Sequence, residues 1–265
     1  KGHHHFHWFL WIGIGLCMCA CEERTENASG EQACGEVGLG RMLEPEQLVD
    51  GLEAFFTPKL LAGKKILITA GATMEMLDPV RGLTNLSSGA MGFALAKVAT
   101  QMGAEVTLVA GPVHLATPRG VKRVDVRSAL QMQAAVAQQV DFASVFVATA
   151  AVADWRVGDV AGQKIKKDGS GQLPQLHFVE NPDILAEVAR SDRARSGALY
   201  CVGFAAESHD LLKHATAKRE RKGVPLLVGN IGPATFGLDD NALLLVDAQG
   251  SQELPHANKL TLARQ

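Results

Sequence analysis

From Lys64 onward, short apolar runs alternate with longer segments whose apolar residues recur every three or four positions. These are the periodicities of buried strands and of amphipathic helices. KKILITAG (64–71) predicts a strand, MGFALAKVATQMGA (91–104) a helix with Gly103 past its end, and EVTLVAGP (105–112) a second strand. VKRVDV (121–126) predicts a strand, SALQMQAAVAQQV (128–140) a helix opened by Ser128 as cap, and SVFVATAAV (144–152) a strand apolar throughout. Beyond a polar, glycine-rich excursion at 155–175, NPDILAEVAR (181–190) reads as a helix entered through proline, and LYCVGFAAE (199–207) as a strand. HDLLKHATAKRERKG (209–223) reads as a basic helix stopped by Gly223, and PLLVGN (225–230) and ALLLVD (242–247) complete the expected strand set. Strands bare of polar residues that alternate with helices form a mostly parallel sheet covered on both faces. The expectation is an α/β, doubly wound, Rossmann-like domain over residues 63–265.

The upstream part has a different character. EPEQLVDGLEAFF (44–56) is amphipathic and ends at Thr57-Pro58, so residues 31–62 read as a tail plus a connecting helix. Residues 1–30 run from KGHHHFHW through an uncharged stretch, Trp8 to Cys21, into EERTENASG. That stretch is 14 residues long (8 to 21), short of the ~20 a membrane-crossing helix needs. No small-x-small cleavage site follows it cleanly, and the spacings in HHHFH and CMCAC do not match the usual zinc-ligand intervals. Residues 1–30 are expected to be a leader outside the fold, in the manner of a tag remnant or a misread start.

Composition adds two exclusions. With 26 basic and 28 acidic residues in 265, the net charge is −2, so a globally basic nucleic-acid coat is excluded and any anion must be held by a local cluster. Of the five cysteines, Cys17, Cys19 and Cys21 crowd together, leaving Cys34 and Cys201. That is no disulfide framework, and a reducing cytoplasm is the expected compartment.

Ligands of doubly wound sheets sit beyond the carboxyl ends of the strands. The first strand-to-helix loop, 70–92, closes with Asn85, Ser87, Ser88, Gly89 and Gly92 at a helix start. Hydroxyls, glycines and unpaired N–H groups there make an anion cradle, although the same residues also serve as a plain cap. A dinucleotide site lacks its G-x-G-x-x-G turn, and the strand at 105–112 ends in Ala110-Gly111-Pro112 without an acid for a ribose. No Walker element is present. Asp154, directly after an apolar strand, reads either as a turn cap or as a carboxylate for magnesium with substrate phosphates. Lys164, Lys166 and Lys167 form a charge run that is ordinarily solvated; if extended, Lys164 and Lys166 share a face. His214, Lys218 and Lys222 are four apart on one helical stripe, where neighbouring ammonium groups repel unless an anion lies between them. No aromatic residue interleaves with that stripe, which disfavours nucleic acid. Together these loops suit a polyphosphate with a metal, as in a nucleotide-activating enzyme.

LITAGATMEMLDPVRGLTNLSSGAMGFALA, followed by AAVADWR, QKIKK, NPDILAEVA, VGFAAES and FGLDDNALLLVD, closely resembles the phosphopantothenate–cysteine ligase half of the bacterial bifunctional coenzyme A biosynthesis proteins. The likeness runs from about Lys64 to the end. QACGEVGLGRMLEPEQLV resembles the closing segment of their decarboxylase half, with Cys34 matching the family's proton-donor cysteine. The FMN-binding part that precedes that segment in the family is not in this sequence, so decarboxylation is not expected of this chain alone. ANKLTLARQ resembles a final helix cut short.

The resemblance implies a two-step, cytoplasmic reaction with neither membrane nor nucleic acid. In it 4′-phosphopantothenate and CTP give an acyl-cytidylate and pyrophosphate, with Mg2+, and the amine of cysteine then displaces CMP. It also implies roles: Asn85 for the acyl-cytidylate, Arg81 for the substrate's phosphate or carboxylate, and Ala148, Thr149, Ala150 and Asp154 along CTP, Asp154 being the metal candidate. Lys164 would touch the triphosphate, Asn181, Pro182, Asp183, Ile184 and Phe204 would frame the nucleotide, and Lys218 and Lys222 would complete the clamp. Many relatives read SNHSSGKMG where this chain reads TNLSSGAMG, so Leu86 and Ala90 replace a histidine and a lysine. A homodimer is implied as well. Two competing readings are a nicotinamide-dependent oxidoreductase on the same fold and a nucleotide-binding module without turnover.

Overall fold

A computed structural model describes residues 28–31, 37–41, 44–166, 169, 174–207, 209–231 and 239–265. It divides the chain into two units, residues 1–58 and 59–265. In the first, β1 (Ala28–Glu31) and β2 (Val37–Arg41) pair antiparallel. Helix α1 (Pro45–Phe56) follows, opened by Pro45 and by Gln47, whose Oε1 accepts the Glu44 N–H at 3.2 Å. It stops at Thr57, as the following proline requires. Cys34 lies outside the described residues.

The second unit is built on an eight-stranded sheet. In chain order its elements are β3 (Lys65–Ala70), a short antiparallel hairpin of β4 (Met74–Met76) and β5 (Gly82–Thr84), helix α2 (Ala90–Gln101), β6 (Glu105–Ala110) and β7 (Val121–Asp125). There follow α3 (Ala129–Gln139), β8 (Val145–Ala148), β9 (Trp155–Val157), β10 (Phe178–Glu180), α4 (Ile184–Ala189), α5 (Asp192–Arg195) and β11 (Tyr200–Glu207). The chain finishes with α6 (Leu211–Lys222), β12 (Leu226–Ile231), β13 (Asp240–Val246), β14 (Ser251–Asn258) and α7 (Lys259–Arg264). The order across the sheet is β14-β13-β12-β11-β8-β3-β6-β7. The six strands from β12 to β7 run parallel, and β13 and β14 are added antiparallel. This is the doubly wound α/β architecture that the alternation of apolar runs predicts.

The helices cover both faces because β3 is apolar on both. Leu67 packs into one core with Met132 and Val136 of α3, Leu185 of α4 and Ala215 of α6. Ile66, Ile68 and Ala70 point the other way, into a core with Phe93, Ala96 and Ala99 of α2 and Leu262 of α7. Ser128 caps α3 as expected: its hydroxyl accepts the Gln131 N–H at 3.3 Å, and Gln131 Oε1 accepts the Ser128 N–H at 3.2 Å. The chain runs outward from β3 to β7, returns through α3, and continues at β8 on the opposite side of β3. That reversal opens a crevice beyond the ends of β3 and β8.

The structure differs from the pattern-based expectation in β1, which begins at Ala28 inside the residues read as a leader, in the β4–β5 hairpin within the 70–92 loop, in the short helix α5, and in three further details. The excursion after residue 154 contains β9 and β10, paired antiparallel; three residues each are too few to show a period. Strand β14 was not expected. It carries Pro255 and buries only Leu254, which an edge strand tolerates because one row of its N–H groups has no ladder to join. Proline also does not open α4: Pro182 precedes Asp183, which is the true cap and accepts the Ala186 N–H at 3.1 Å.

Candidate active site

A cavity of about 730 Å³ opens at the crevice beside β3 and β8. The mouth of α2 forms one wall. Gly89 caps this helix with φ +79°, a conformation open to glycine, and a Cβ there would lie 3.1 Å from the Gly71 backbone. Ser87 and Ser88 accept the N–H groups of Gly89 and Ala90 at 3.3 and 3.4 Å, so capping and cradle readings share these atoms. Bonds that long are weak, and the first turn of α2 carries no acid, so its positive end faces the cavity uncompensated. Gly92 sets the floor. A Cβ there would stand 2.5 Å from both Ala70 Cβ and Thr149 Oγ1, so only a bare backbone lets α2 seat against the strand ends.

The segment after β8 is held by its backbone. Thr149 donates its hydroxyl to the Thr69 carbonyl, the Ala151 N–H reaches the Gly71 carbonyl at 2.8 Å, and the Ala153 N–H reaches the buried Thr73 hydroxyl at 2.9 Å. Ala148, Thr149 and Ala150 therefore present small side chains and peptide edges to the cavity, and Asp154 follows at its exposed rim. Asn85 crosses to the same segment, its Nδ2 donating to the Ala151 carbonyl at 3.1 Å. With that NH2 committed, the amide oxygen is the group Asn85 offers as an acceptor.

The far wall comes from α4, β11 and α6. Asn181 is part of its scaffold: Nδ2 donates to the Ala153 carbonyl at 2.8 Å, Oδ1 accepts from Arg156 at 3.2 Å, and its N–H meets the Asp154 carbonyl at 2.8 Å. Pro182, Asp183, Ile184 and Phe204 complete this side. Burial pushes the Asp183 carboxyl up, but the ion pair with Lys222 and the Ala186 N–H outweigh it and leave it below its ordinary value. Lys218 stands one turn earlier, 3.9 Å from Glu207. Burial lowers its ammonium pKa, Glu207 opposes this, Lys222 and Arg221 add to the lowering, and Asp154 opposes it in turn. A desolvated ammonium with one loose partner is a site that wants an anion. His214, on the same stripe, does not line the cavity.

Two expected residues are placed elsewhere. Arg81 does not line the cavity: its Nε and Nη2 donate to Asp78 Oδ2 at 2.9 and 2.5 Å, and Nη2 also reaches the Ile165 carbonyl at 2.8 Å. Asp78 is fully buried and accepts in addition from the N–H groups of Val80, Arg81 and Ile165 at 2.8, 2.9 and 3.1 Å. The Arg81 guanidinium, joined by these N–H groups and opposed by burial, holds that carboxyl well below the usual carboxylate range. A buried carboxylate thus takes up the guanidinium fork that the resemblance assigns to substrate. Lys164, on the segment tied down through Ile165, is exposed and lies outside the cavity of its own chain.

The cavity also has wall residues that sequence reasoning did not single out: Thr69, Glu180, Trp155, Asn230, Asn241 and Lys259. Asn230, near the carboxyl end of β12, carried the same strand-end signal as Asp154. Asn241 and Lys259 had none, since the antiparallel strands β13 and β14 alone bring them round.

Residues 61–265 match the model of the DNA/pantothenate metabolism flavoprotein C-terminal domain. The chain belongs to this family. It is 52% identical over 239 residues to the coenzyme A biosynthesis bifunctional protein CoaBC of Vibrio cholerae, 47% over 241 to that of Escherichia coli K12, and 39% over 246 to that of Bacillus subtilis. These matches take in 89, 89 and 90% of this chain and 59% of each relative, so the chain spans about three fifths of the length of these CoaBC proteins. Among solved structures, the C-terminal domain of a CoaBC protein superposes with a TM-score of 0.65 at 37% identity, covering 77% of this chain and 92% of that one. The DNA/pantothenate metabolism flavoprotein of Streptococcus pneumoniae shares the fold, with a TM-score of 0.63 at 19% identity, over 76% of this chain and 95% of its own. Among the described residues, no helix is long and apolar enough to cross a membrane.

Proposed function

We propose that this chain is the CTP-dependent ligase of coenzyme A biosynthesis, joining 4′-phosphopantothenate to cysteine through an acyl-cytidylate. The observation that carries the reading is the gathering of the α2 mouth, Asn85, Asp154, Lys218 and Lys222 around one cavity at the sheet's switch point. A triphosphate supplies a close anion for Lys218, whose partner Glu207 stands 3.9 Å away, and a second one for Lys222 beside its pairing with Asp183; the free positive end of α2 suits a phosphate.

Magnesium fits the donors: Asp154 offers a carboxylate at the rim of a cavity that Glu180 also lines, and magnesium takes one or two carboxylates plus phosphate oxygens. When bound it supplies charge neutralisation to the triphosphate. The chain's own residues do the rest. Lys218 and Lys222 hold the β- and γ-phosphates, so that a carboxylate oxygen of phosphopantothenate attacks the α-phosphorus and the bond to pyrophosphate breaks. Asn85 Oδ1 and the peptide edges of 148–150 orient the acyl-cytidylate. The amine of cysteine then attacks its carbonyl carbon, the carbon–oxygen bond to CMP breaks, and the amine loses a proton. Lys164 lies outside its own chain's cavity, and the proposal includes a homodimer in which it serves the other copy's nucleotide.

Pyrophosphate release by purified protein with Mg2+, phosphopantothenate and cysteine tests this, with CTP and ATP offered in turn. CTP-dependent release is the expected result. Release with neither nucleotide refutes the ligase, and release with ATP alone refutes the cytidylate.

A further inference from the structure

Helix α6 begins in an unusual way. Asp210 stands at its N-cap, where an aspartate side chain ordinarily accepts an N–H of the first turn, yet its carboxylate makes no such bond. Its backbone is left-handed, φ 46° and ψ 45°, the sole positive φ at a non-glycine residue among those described. The turn brings the preceding residue back over the helix, so that the rings of His209 and His214 meet edge to face with centroids 5.2 Å apart. The His214 N–H donates to the Asp210 carbonyl at 3.1 Å, which sets these two residues one turn apart on the same side. As a result, one carboxylate oxygen and one nitrogen from each imidazole lie within 4.8 Å of one another. None of the three lines the nucleotide cavity.

We propose that His209, Asp210 and His214 form a binding site for a borderline divalent transition ion, with Zn2+ as its reference occupant. Two imidazole nitrogens and a carboxylate oxygen are a zinc donor set, and three protein ligands leave the fourth tetrahedral position to water. Zinc bonds of about 2.0–2.2 Å at the tetrahedral angle put neighbouring donors about 3.4 Å apart. Small rotations of side chains that are exposed (His209, Asp210) or half-buried (His214) close the gap from 4.8 Å. Magnesium, which demands oxygen donors and holds its water, is the wrong ion here, so the site is chemically distinct from the carboxylates that line the nucleotide cavity. Binding joins the end of β11 to the first turn of α6 and stabilises the folded chain by mass action.

The leader carries His3, His4, His5, His7, Cys17, Cys19 and Cys21, imidazoles and thiols that would compete for added zinc even without a defined site. The test therefore uses the full chain with these histidines changed to Asn and these cysteines to Ser, stripped with a chelator and titrated calorimetrically with Zn2+. One equivalent per chain is expected, undisplaced by a large excess of Mg2+, with a rise in the thermal midpoint. Loss of a partner that merely supports a ligand weakens metal binding by about 10-fold, so His209→Ala with His214→Ala should weaken it by at least that factor and abolish the rise. Asp210→Asn, which tolerates the left-handed backbone, should weaken binding without changing the metal-free midpoint, and it decides the matter if the double variant does not fold. No zinc uptake by the parent, affinity unchanged in the variants, or displacement by Mg2+ would each overturn the site.

Discussion

At the scale of single residues, charge placement governs the site. Lys218 should be the most sensitive member of the clamp, because it is the lysine whose burial outweighs its partner. Lys218→Gln is expected to raise KM for CTP roughly tenfold, about 1.4 kcal/mol, the range of a charge-assisted hydrogen bond. Its lowered pKa also fixes a sign. The ammonium discharges at a lower pH than an ordinary lysine, so CTP binding should weaken early on the alkaline side, and steady-state kinetics should show that limb flattened in Lys218→Gln. Asn85→Asp should impair amide formation more than nucleotide binding, measured by comparing cysteine-dependent turnover with calorimetric CTP affinity; equal losses would remove Asn85 from its assigned role.

Asp78 gives a prediction of the opposite electrostatic sense. Its folded pKa is depressed, so its contribution to stability is present above the ordinary carboxylate pKa of about 4 and is lost as pH falls through the window below it. Asp78→Asn should lower the urea midpoint at pH 7 and leave a smaller difference between pH 7 and pH 3 than in the unsubstituted chain. An unchanged midpoint at pH 7 would mean that the Arg81 pairing does not hold the 164–166 segment. Arg81 and Lys164 show where residue-level reading stops. The partner that captures Arg81 is an aspartate in a DPV turn, and nothing in that tripeptide tells a reader that it is fully buried.

At the scale of elements, the close approach of α2 to β3 and β8 makes the cradle. Gly92→Ala would thrust a methyl group into Ala70 and Thr149, and overpacking of this kind typically costs about 1–3 kcal/mol. Chemical denaturation should show that loss together with weaker CTP binding, since the helix mouth must shift. A change in neither would mean that the helix seats with room to spare. The elements legible in the sequence are those long enough to show an apolar run or a period: β3, β6, β7, β8, β11, β12, β13 and the long helices. Strands β9 and β10 are too short, and β14 is polar because an edge strand needs to bury only Leu254.

At the scale of the whole molecule, strand order turns scattered residues into a site. Asn85, Asp154, Lys218 and Lys222 were readable because each sits in a strand-to-helix loop or on a helix stripe, and the doubly wound rule sends all such loops to one edge. Asn241 and Lys259 were not, because they reach that edge only through the antiparallel return of β13 and β14. The central claim is that this edge activates a carboxylate with CTP. Phosphopantothenate labelled with ¹⁸O in its carboxylate tests it most directly, through mass spectrometry of the CMP released with cysteine. The account predicts one labelled oxygen in the CMP phosphate, carried over when the acyl–oxygen bond breaks. Unlabelled CMP, or no CMP at all, would contradict it.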